Sequence, residues 1–304
     1  MRQAFLTVVL LVGLLVAAFW GYDLLFSPRD EVSLEVESLR GQVSFNSGNN
    51  QAWTDLSHGQ KLEQGARLKT GGEGSALTMR TGDGDTMYLA SESELVVTDL
   101  SDQGASFELS YGQVRATVTQ FHERQVKVKT PGSSMTVSTQ KGDFTLTHDG
   151  FGAFEVRSLA GDTQVDDTKG KTLNVKAGTA ITVDNTGRVS DSIAIDNSVL
   201  LNVDWPAAAA PGARVTVTGT TSPGAEVVVG GTRTRVDPAG KFHTEVEVKE
   251  GSPVEVRART GGGTTSDRAD LALKEAPPTP TPPPPPKPVV EPPRLNVTTQ
   301  GDWH

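Results

Sequence analysis

The chain has 304 residues, with 32 glycines, 18 prolines, no cysteine and a formal net charge of −9. Without cysteine, the sequence excludes disulfides, cysteine–zinc sites and thiol nucleophiles, and its acidity disfavours nucleic acid because the phosphate backbone would be repelled. The length predicts about two folded domains, and the glycine and proline content favours a turn-rich fold over a helical one.

The N-terminal segment predicts a membrane anchor. Residues Ala4–Gly21 are almost wholly apolar, interrupted by Thr7, and this run approaches the ~20 residues that a helix needs to cross a bilayer. Arg2 precedes the run and Asp23 follows it, so the positive flank is expected to stay in the cytoplasm. We therefore predict one transmembrane helix within residues 1–26, in a bacterial inner membrane, with the bulk of the chain in the periplasm. The alternative is a signal peptide cleaved near Ala18, which would leave a soluble periplasmic or secreted protein.

Residues 32–190 show the alternation of apolar and polar side chains that is typical of β-strands. It is clear in Val126–Thr130, Phe144–Thr147 and Phe154–Val156, and it places one side of each strand in a core and the other in water. Glycine-containing turns, such as Asn185–Gly187, separate the strands. The pattern predicts an all-β domain of stacked β-hairpins.

Recurring glycines in a fixed order give this region a family resemblance. The residues that carry it are Gly41-Gln-Val43, Gly59, Gly65, Leu68-Lys-Thr70-Gly71, Gly112-Gln-Val114, Thr130-Pro131, Gly178 and Gly187. Over about residues 36–190 the chain resembles the periplasmic domain of the FecR family. The resemblance implies a domain that senses an outer-membrane iron–siderophore transporter, while a cytoplasmic N-terminal segment controls a sigma factor. Only Met1–Gln3 precede the apolar run, and three residues are too few to fold or to bind a sigma factor. The resemblance is therefore expected to hold for the fold and the compartment rather than for that regulatory output.

A second pattern of short strands fills residues 200–275. Val215–Gly219, Ser222–Val229 and Val254–Val256 are separated by Pro-Gly and Gly-Gly turns, which predicts a small antiparallel sandwich. The segment resembles a bacterial immunoglobulin-like module. Residues 276–304 are rich in proline and are predicted to form a disordered tail.

The residues with chemical potential do not form a recognisable catalytic or metal-binding motif. The histidines are dispersed without an HExxH pairing, and Asp83-Gly-Asp85 lacks the further ligands of a calcium loop. We predict no catalytic residue, no metal site, no cofactor and no small-molecule substrate, and hence no enzyme. Four aromatic residues are candidate partner-binding anchors: Trp53, Tyr88, Tyr111 and Trp303. Core packing is the alternative for the first three, and a frayed or arbitrary chain end is the alternative for Trp303.

These features predict a membrane-anchored extracytoplasmic protein that binds or scaffolds other envelope proteins through protein–protein contacts. One alternative is a FecR-like sensor that relays an envelope signal through a partner. Another is an envelope enzyme acting on glycan, which would require a buried pair of carboxylates in a cleft.

Overall fold

The computed structural model describes residues 33–48, 52–101, 103–119, 124–133, 135–167 and 170–272. Its regular elements are strands: β1 Leu34–Arg40, β2 Val43–Asn46, β3 Thr54–Asp55, β4 Lys61–Leu62, β5 Arg67–Thr70, β6 Ala76–Thr81, β7 Thr86–Leu89, β8 Glu94–Ser101, β9 Gly104–Val118, β10 Gln125–Lys129, β11 Met135–Thr139, β12 Gly142–His148, β13 Phe154–Gly161, β14 Thr163–Asp167, β15 Thr172–Val175, β16 Thr179–Val183, β17 Ile193–Ala194, β18 Leu201–Asp204, β19 Arg214–Thr221, β20 Glu226–Val229, β21 Thr232–Thr234, β22 Lys241–Glu247, β23 Val254–Thr260 and β24 Gly263–Ala269. The all-β prediction is thereby confirmed.

The predicted anchor in residues 1–26 and the predicted tail in residues 276–304 lie outside the described residues. In the part of the chain that the structure describes, no helix has the length and apolar character needed to cross a membrane.

The first seventeen strands form two sheets that share one long strand. Sheet A has the order β4-β1-β6-β7-β9-β12-β13-β16-β17, and sheet B has the order β3-β2-β5-β8-β9-β10-β11-β14-β15. All these pairs are antiparallel except β9 with β10, which run parallel. Strand β9 therefore lies in the middle of both sheets and connects them.

Gly112 lies where β9 passes from sheet B to sheet A. It has a φ of +95°, a conformation that residues with a Cβ atom rarely adopt. A Cβ atom here would also lie 2.2 Å from the Ser93 Oγ atom, which accepts a hydrogen bond from the Gln113 amide at 3.0 Å. Glycine is therefore required at this bend for both conformation and space.

Alternating apolar side chains fill the space between the two sheets. Val126 and Val128 on β10 are buried there, as are Phe107, Phe144 and Phe154 on β9, β12 and β13. Burial of this continuous apolar layer is the main stabilising contribution that the strand pattern can supply.

Strands β18–β24 form a second, smaller unit of two sheets, which we call the C-terminal sandwich. One sheet has the order β18-β19-β22 and the other β21-β20-β23-β24. Val217 and Phe242 from the first sheet pack with Val229 and Val256 from the second in a separate apolar core. Strand pairing thus changes between β17 and β18, close to where the sequence pattern separates the two predicted domains, while the domain bounds themselves stay a prediction.

The C-terminal sandwich packs against the outer face of sheet A. The Gln113 side chain on β9 donates to the Thr260 carbonyl at 2.9 Å, and the Gly261 amide donates to the Glu155 carboxylate at 2.9 Å. As a result Thr147, Glu155 and Arg157 are buried, although the alternating pattern predicts that this side of the strands faces water. The C-terminal sandwich, which is distant in sequence, covers this side of the strands and excludes water from it.

Candidate partner-binding groove

Two of the predicted anchor residues are exposed, on different sheets. The Trp53 side chain, just before β3 of sheet B, is 42% exposed, and the Lys69 ammonium lies 6.0 Å from the centre of its ring. Tyr88 is 43% exposed on β7 of sheet A, where it pairs across the strands with Arg115. The structure therefore does not bring Trp53 and Tyr88 together into one site.

Tyr111 has an intramolecular partner, and Trp303 lies outside the described residues. The Arg233 guanidinium of the C-terminal sandwich lies 3.6 Å from the centre of the Tyr111 ring. Burial, followed by the nearby Glu94 carboxylate, raises the pKa of the Tyr111 hydroxyl. One face of this ring is thus occupied by a cation of the same chain, an attractive arrangement for an arginine and an aromatic ring.

A groove of about 570 Å³ runs between sheet A and the C-terminal sandwich. Strands β13 and β16 form its floor, the segment 188–200 forms one wall, and residues 222–224 and 236–238 form the other. Its volume lies within the range of roughly 300–1,000 Å³ that binding clefts usually have.

A buried ion pair fixes the floor of the groove. The Arg157 Nε atom donates to the Glu155 carboxylate at 2.9 Å, and both side chains are almost fully buried. Arg157 also donates to the Asp196 carbonyl at 2.6 Å and to the Thr260 hydroxyl at 3.1 Å. These three partners lie on sheet A, in the segment 188–200 and in the C-terminal sandwich, respectively. The Arg157 side chain therefore connects all three parts.

Gly224 lets the far wall approach the floor closely. Its φ is +75°, and a Cβ atom there would lie 2.7 Å from the Thr182 methyl group on β16. The Ser222-Pro-Gly224 sequence therefore serves the packing of the C-terminal sandwich on sheet A as well as the turn that its composition predicts.

The near wall carries the two most exposed large apolar side chains among the described residues. Ile193 is 60% exposed and Leu200 is 68% exposed, whereas the other exposed large apolar residues lie between 36% and 43%. The sequence pattern ends one predicted domain at residue 190 and begins the next at residue 200, and it singles out neither Ile193 nor Leu200. The sequence signal that could have revealed them is the apolar content of residues 191–200, which also include Ile195 and Val199.

The charge of the lining is predominantly negative. Apart from the Glu155–Arg157 ion pair, the lining contains one arginine, Arg188, and four aspartates: Asp184, Asp191, Asp196 and Asp237. Hydrogen bonds from the Thr186 and Ser198 hydroxyls lower the pKa of Asp184 and Asp196, respectively. The Asp184 and Asp196 carboxylates are therefore ionised at neutral pH.

A buried His–Asp pair lies close to the junction. The His148 Nδ1 atom donates to the Ser110 carbonyl at 2.9 Å, and its Nε2 atom lies 3.9 Å from the Asp149 carboxylate. Burial lowers the pKa of His148 to about 4 and raises that of Asp149 to about 6. Asp149 also accepts hydrogen bonds from the Phe151 and Ala153 amides, which shapes the turn after β12.

Comparisons with known proteins identify part of the chain. Residues 66–162 match the family model described as FecR protein, a segment that contains the shared strand β9 and the groove residues Glu155 and Arg157. A search among curated proteins returns no match. Among solved structures, two of a candidate anti-sigma factor from Parabacteroides distasonis are similar at 15% and 16% identity, each with a TM-score of 0.38.

The similarity to those two structures covers 44% of this chain and 66% of theirs, so the chain spans just under two thirds of that protein's length. A polysaccharide lyase structure is similar at 10% identity, with a TM-score of 0.21, over 78% of this chain and 40% of the lyase.

Within the described residues, no group of three histidine, aspartate or glutamate side chains is placed to hold a metal ion.

Proposed function

We infer that this protein, which carries a FecR domain at residues 66–162, is a regulator that relays a signal by binding other proteins. The observation that carries the proposal is the family match, because the resemblance to FecR proteins implies signal relay between protein partners. The match favours this reading over the envelope scaffold that the sequence suggests first. The partners are proteins of the receptor and sigma-factor pathway class, and the chain acts on them without catalysis.

The proposed setting is the bacterial envelope. The apolar run Ala4–Gly21, with Arg2 before it and Asp23 after it, supports an inner-membrane anchor with residues 33–272 in the periplasm. Cleavage near Ala18 would instead release a soluble protein. The C-terminal sandwich is proposed to be of the immunoglobulin-like kind. A reporter active only in the cytoplasm and fused after residue 275 would remain silent in either case, and a bright signal would contradict the compartment.

The groove is the surface that we propose for partner contact. Signal relay by a protein without catalytic chemistry requires a partner that binds one state of the regulator better than another. The groove lies at the junction of two packed units, and its lining comes from both, so an occupant there contacts sheet A and the C-terminal sandwich together. This location supports a role in sensing, which a surface on one unit alone would support less well.

The experiment is a transcript comparison in the native bacterium. Cells that lack the gene are compared with cells that carry the wild-type gene, before and after imposed iron limitation. The proposal expects a restricted set of transcripts, sharing one promoter class, to lose or gain its response in the deletion strain. Restoring the wild-type gene on a plasmid should restore that response.

The scaffold alternative predicts a different result from the same strains. A pure scaffold would leave the transcript response intact while its envelope partners lose their association, as measured by crosslinking in intact cells. An unchanged transcriptome in the deletion strain, under iron-replete and iron-limited growth, would therefore overturn the signalling proposal.

A further inference from the structure

The two most exposed apolar side chains of the described molecule lie on the rim of one groove. Ile193 and Leu200 expose 60% and 68% of their surface and are both part of the groove lining. Isolated exposed apolar residues are ordinary. Two that lie on the same wall of one cleft, above a floor that includes Ala153 and Ala180, indicate a surface that an apolar partner covers.

The same rim is an edge of sheet A. Ile193 and Ala194 form β17, which pairs with β16 on one side and with no other strand among the described residues. The Ile195 amide donates back to the Gly178 carbonyl at 2.9 Å, so this stretch follows the β16 strand. An open edge beside a groove is the geometry on which an extended peptide can align. Because β17 is short, the side chains in the groove would carry more of the binding than the strand pairing.

Charge restricts the occupant further. Asp184, Asp191, Asp196 and Asp237 line the groove with Arg188 as the one guanidinium of the lining outside the Glu155–Arg157 pair. The field of these carboxylates attracts lysine and arginine side chains and repels acidic peptides and anionic ligands.

We propose that the groove binds an extended segment of a partner protein in which apolar side chains alternate with lysine or arginine. The apolar side chains enter the groove and contact Ile193 and Leu200 on its near wall, and the cationic ones meet the aspartates of the rim. Alternation is expected because successive side chains of an extended segment point to opposite sides. This inference rests on the proposed function in requiring a protein partner, and it specifies the chemistry of that partner.

The first test uses a fluorescent peptide of about seven residues that alternates valine with lysine, a length close to that of an ordinary strand. Its fluorescence anisotropy is measured with the purified full chain. Two comparison peptides replace every lysine with glutamate, or every valine with serine. The valine–lysine peptide is expected to bind at least about tenfold more tightly than either, because each comparison peptide loses one of the two complementary features.

Two groove variants and a matched control assign the binding to the groove. Ile193→Ser and Leu200→Ser should each weaken the binding of the valine–lysine peptide by about tenfold. Leu159→Ser removes an exposed apolar side chain on β13 of the same sheet, outside the groove lining, and should leave the affinity unchanged. All three positions are exposed, so the folded chain should tolerate the changes. Circular dichroism and the urea midpoint check this directly.

A third variant tests the electrostatic half of the proposal. Asp191→Asn combined with Asp196→Asn should weaken binding by a smaller factor and flatten its dependence on salt between roughly 0.05 and 0.5 M, since exposed charges are screened over that range. Equal binding of the lysine and glutamate peptides would overturn the proposal. So would no detectable binding of the valine–lysine peptide at about 1 mM, or equal losses in Leu200→Ser and Leu159→Ser.

These results separate the occupant from the function. If the Leu200→Ser strain keeps the wild-type transcript response while the gene deletion abolishes it, the regulatory role stands and the groove proposal fails. If peptide binding depends on Ile193 and Leu200 but the deletion leaves the transcriptome unchanged, the groove is a binding site and the regulatory role fails.

Discussion

Strands β10 and β13 carry the same alternating sequence pattern, but their polar residues have opposite fates. On β10, Val126 and Val128 are buried while Lys129 is exposed. On β13, Glu155 and Arg157 are as buried as the apolar residues beside them. The alternation identifies both strands and their core sides correctly. The polar side of β13 is buried because the C-terminal sandwich packs on it, whereas the sandwich does not pack on β10.

This difference changes what an ion pair contributes. Arg80 and Glu37 form a pair on sheet A with the Arg80 side chain 54% exposed, and such surface pairs contribute little because water screens them. The side chains of Arg157 and Glu155 are only 5% and 8% exposed, so water screens this pair far less. Each member then depends on the other for compensation of its charge.

Removing the Arg157 side chain should therefore cause the largest loss of stability at the junction. Arg157→Ala leaves the Glu155 carboxylate buried, with the Gly261 amide as its remaining donor among the described residues. The expected loss in the free energy of unfolding is about 3–5 kcal/mol, measured by urea denaturation of the purified chain.

Arg80→Ala is the matched control, because it removes an arginine from an ion pair on the same sheet. Its expected cost is about 0–1 kcal/mol. Replacing Glu155 and Arg157 together with methionine should recover most of the loss, since no unpaired charge remains. Equal losses in Arg157→Ala and Arg80→Ala would show that the junction does not exclude water from the pair.

The bend of β9 is the next most sensitive point, since it couples the two sheets. Gly112→Ala requires a left-handed backbone and a Cβ atom 2.6 Å from the Ser93 Cα atom, and should cost about 3 kcal/mol. Gly84→Ala is the control, because Gly84 has a similar φ of +91° and nothing within 4 Å of the added atom. The thermal midpoint of the Gly84→Ala protein should fall less than that of the Gly112→Ala protein, because the added Cβ atom causes backbone strain there but no steric clash. A Gly112→Ala protein as stable as the Gly84→Ala protein would contradict the role of the bend.

The sequence predicts the strands, the turn glycines and the family, because these depend on local pattern. Gly112 and Gly178 belong to the set that carries the resemblance, and both have positive φ values. It does not predict the groove, since Ile193 and Leu200 become a binding rim only when Pro223 and Pro238 lie opposite them. It leaves Tyr111 as either a candidate anchor or a core residue, because nothing near Tyr111 in the sequence indicates that the Arg233 guanidinium lies 3.6 Å from the centre of its ring.

The buried His148–Asp149 pair, next to the same junction, should set a weak dependence of stability on pH. His148 has a pKa of about 4 when folded and an ordinary value of 6.5, so the unfolded chain binds a proton first and stability falls as the pH drops from about 6.5 to 4. Asp149 has a pKa of about 6 when folded and an ordinary value of 3.8. The folded chain then binds a proton first, and this group adds stability as the pH drops from about 6 to 4.

The two contributions oppose each other, and removing one should reveal the other. Asp149→Asn keeps an oxygen that can accept from the Phe151 and Ala153 amides, but it removes the titration. The variant should lose about 1 kcal/mol more than the wild type between about pH 7 and pH 5, as measured by urea denaturation at each pH. His148→Gln should change the slope in the opposite direction. Parallel curves for the wild type and Asp149→Asn would contradict the raised pKa of Asp149.

The smallest expected effect concerns the contact between Tyr111 and Arg233. Tyr111 on β9 lies under the guanidinium of the C-terminal sandwich at 3.6 Å, and Arg233 also donates to the Glu226 carboxylate at 2.8 Å. Tyr111→Leu removes the aromatic face but keeps an apolar side chain, so it should cost about 1 kcal/mol. Tyr88→Leu, on the exposed face of β7, should cost no more than about 0.5 kcal/mol. The double variant Tyr111→Leu with Arg233→Met measures the coupling between the two side chains by a double-mutant cycle in urea. A coupling energy near zero would mean that Arg233 is held by Glu226 and the Glu92 carbonyl and that the ring contributes only its apolar area.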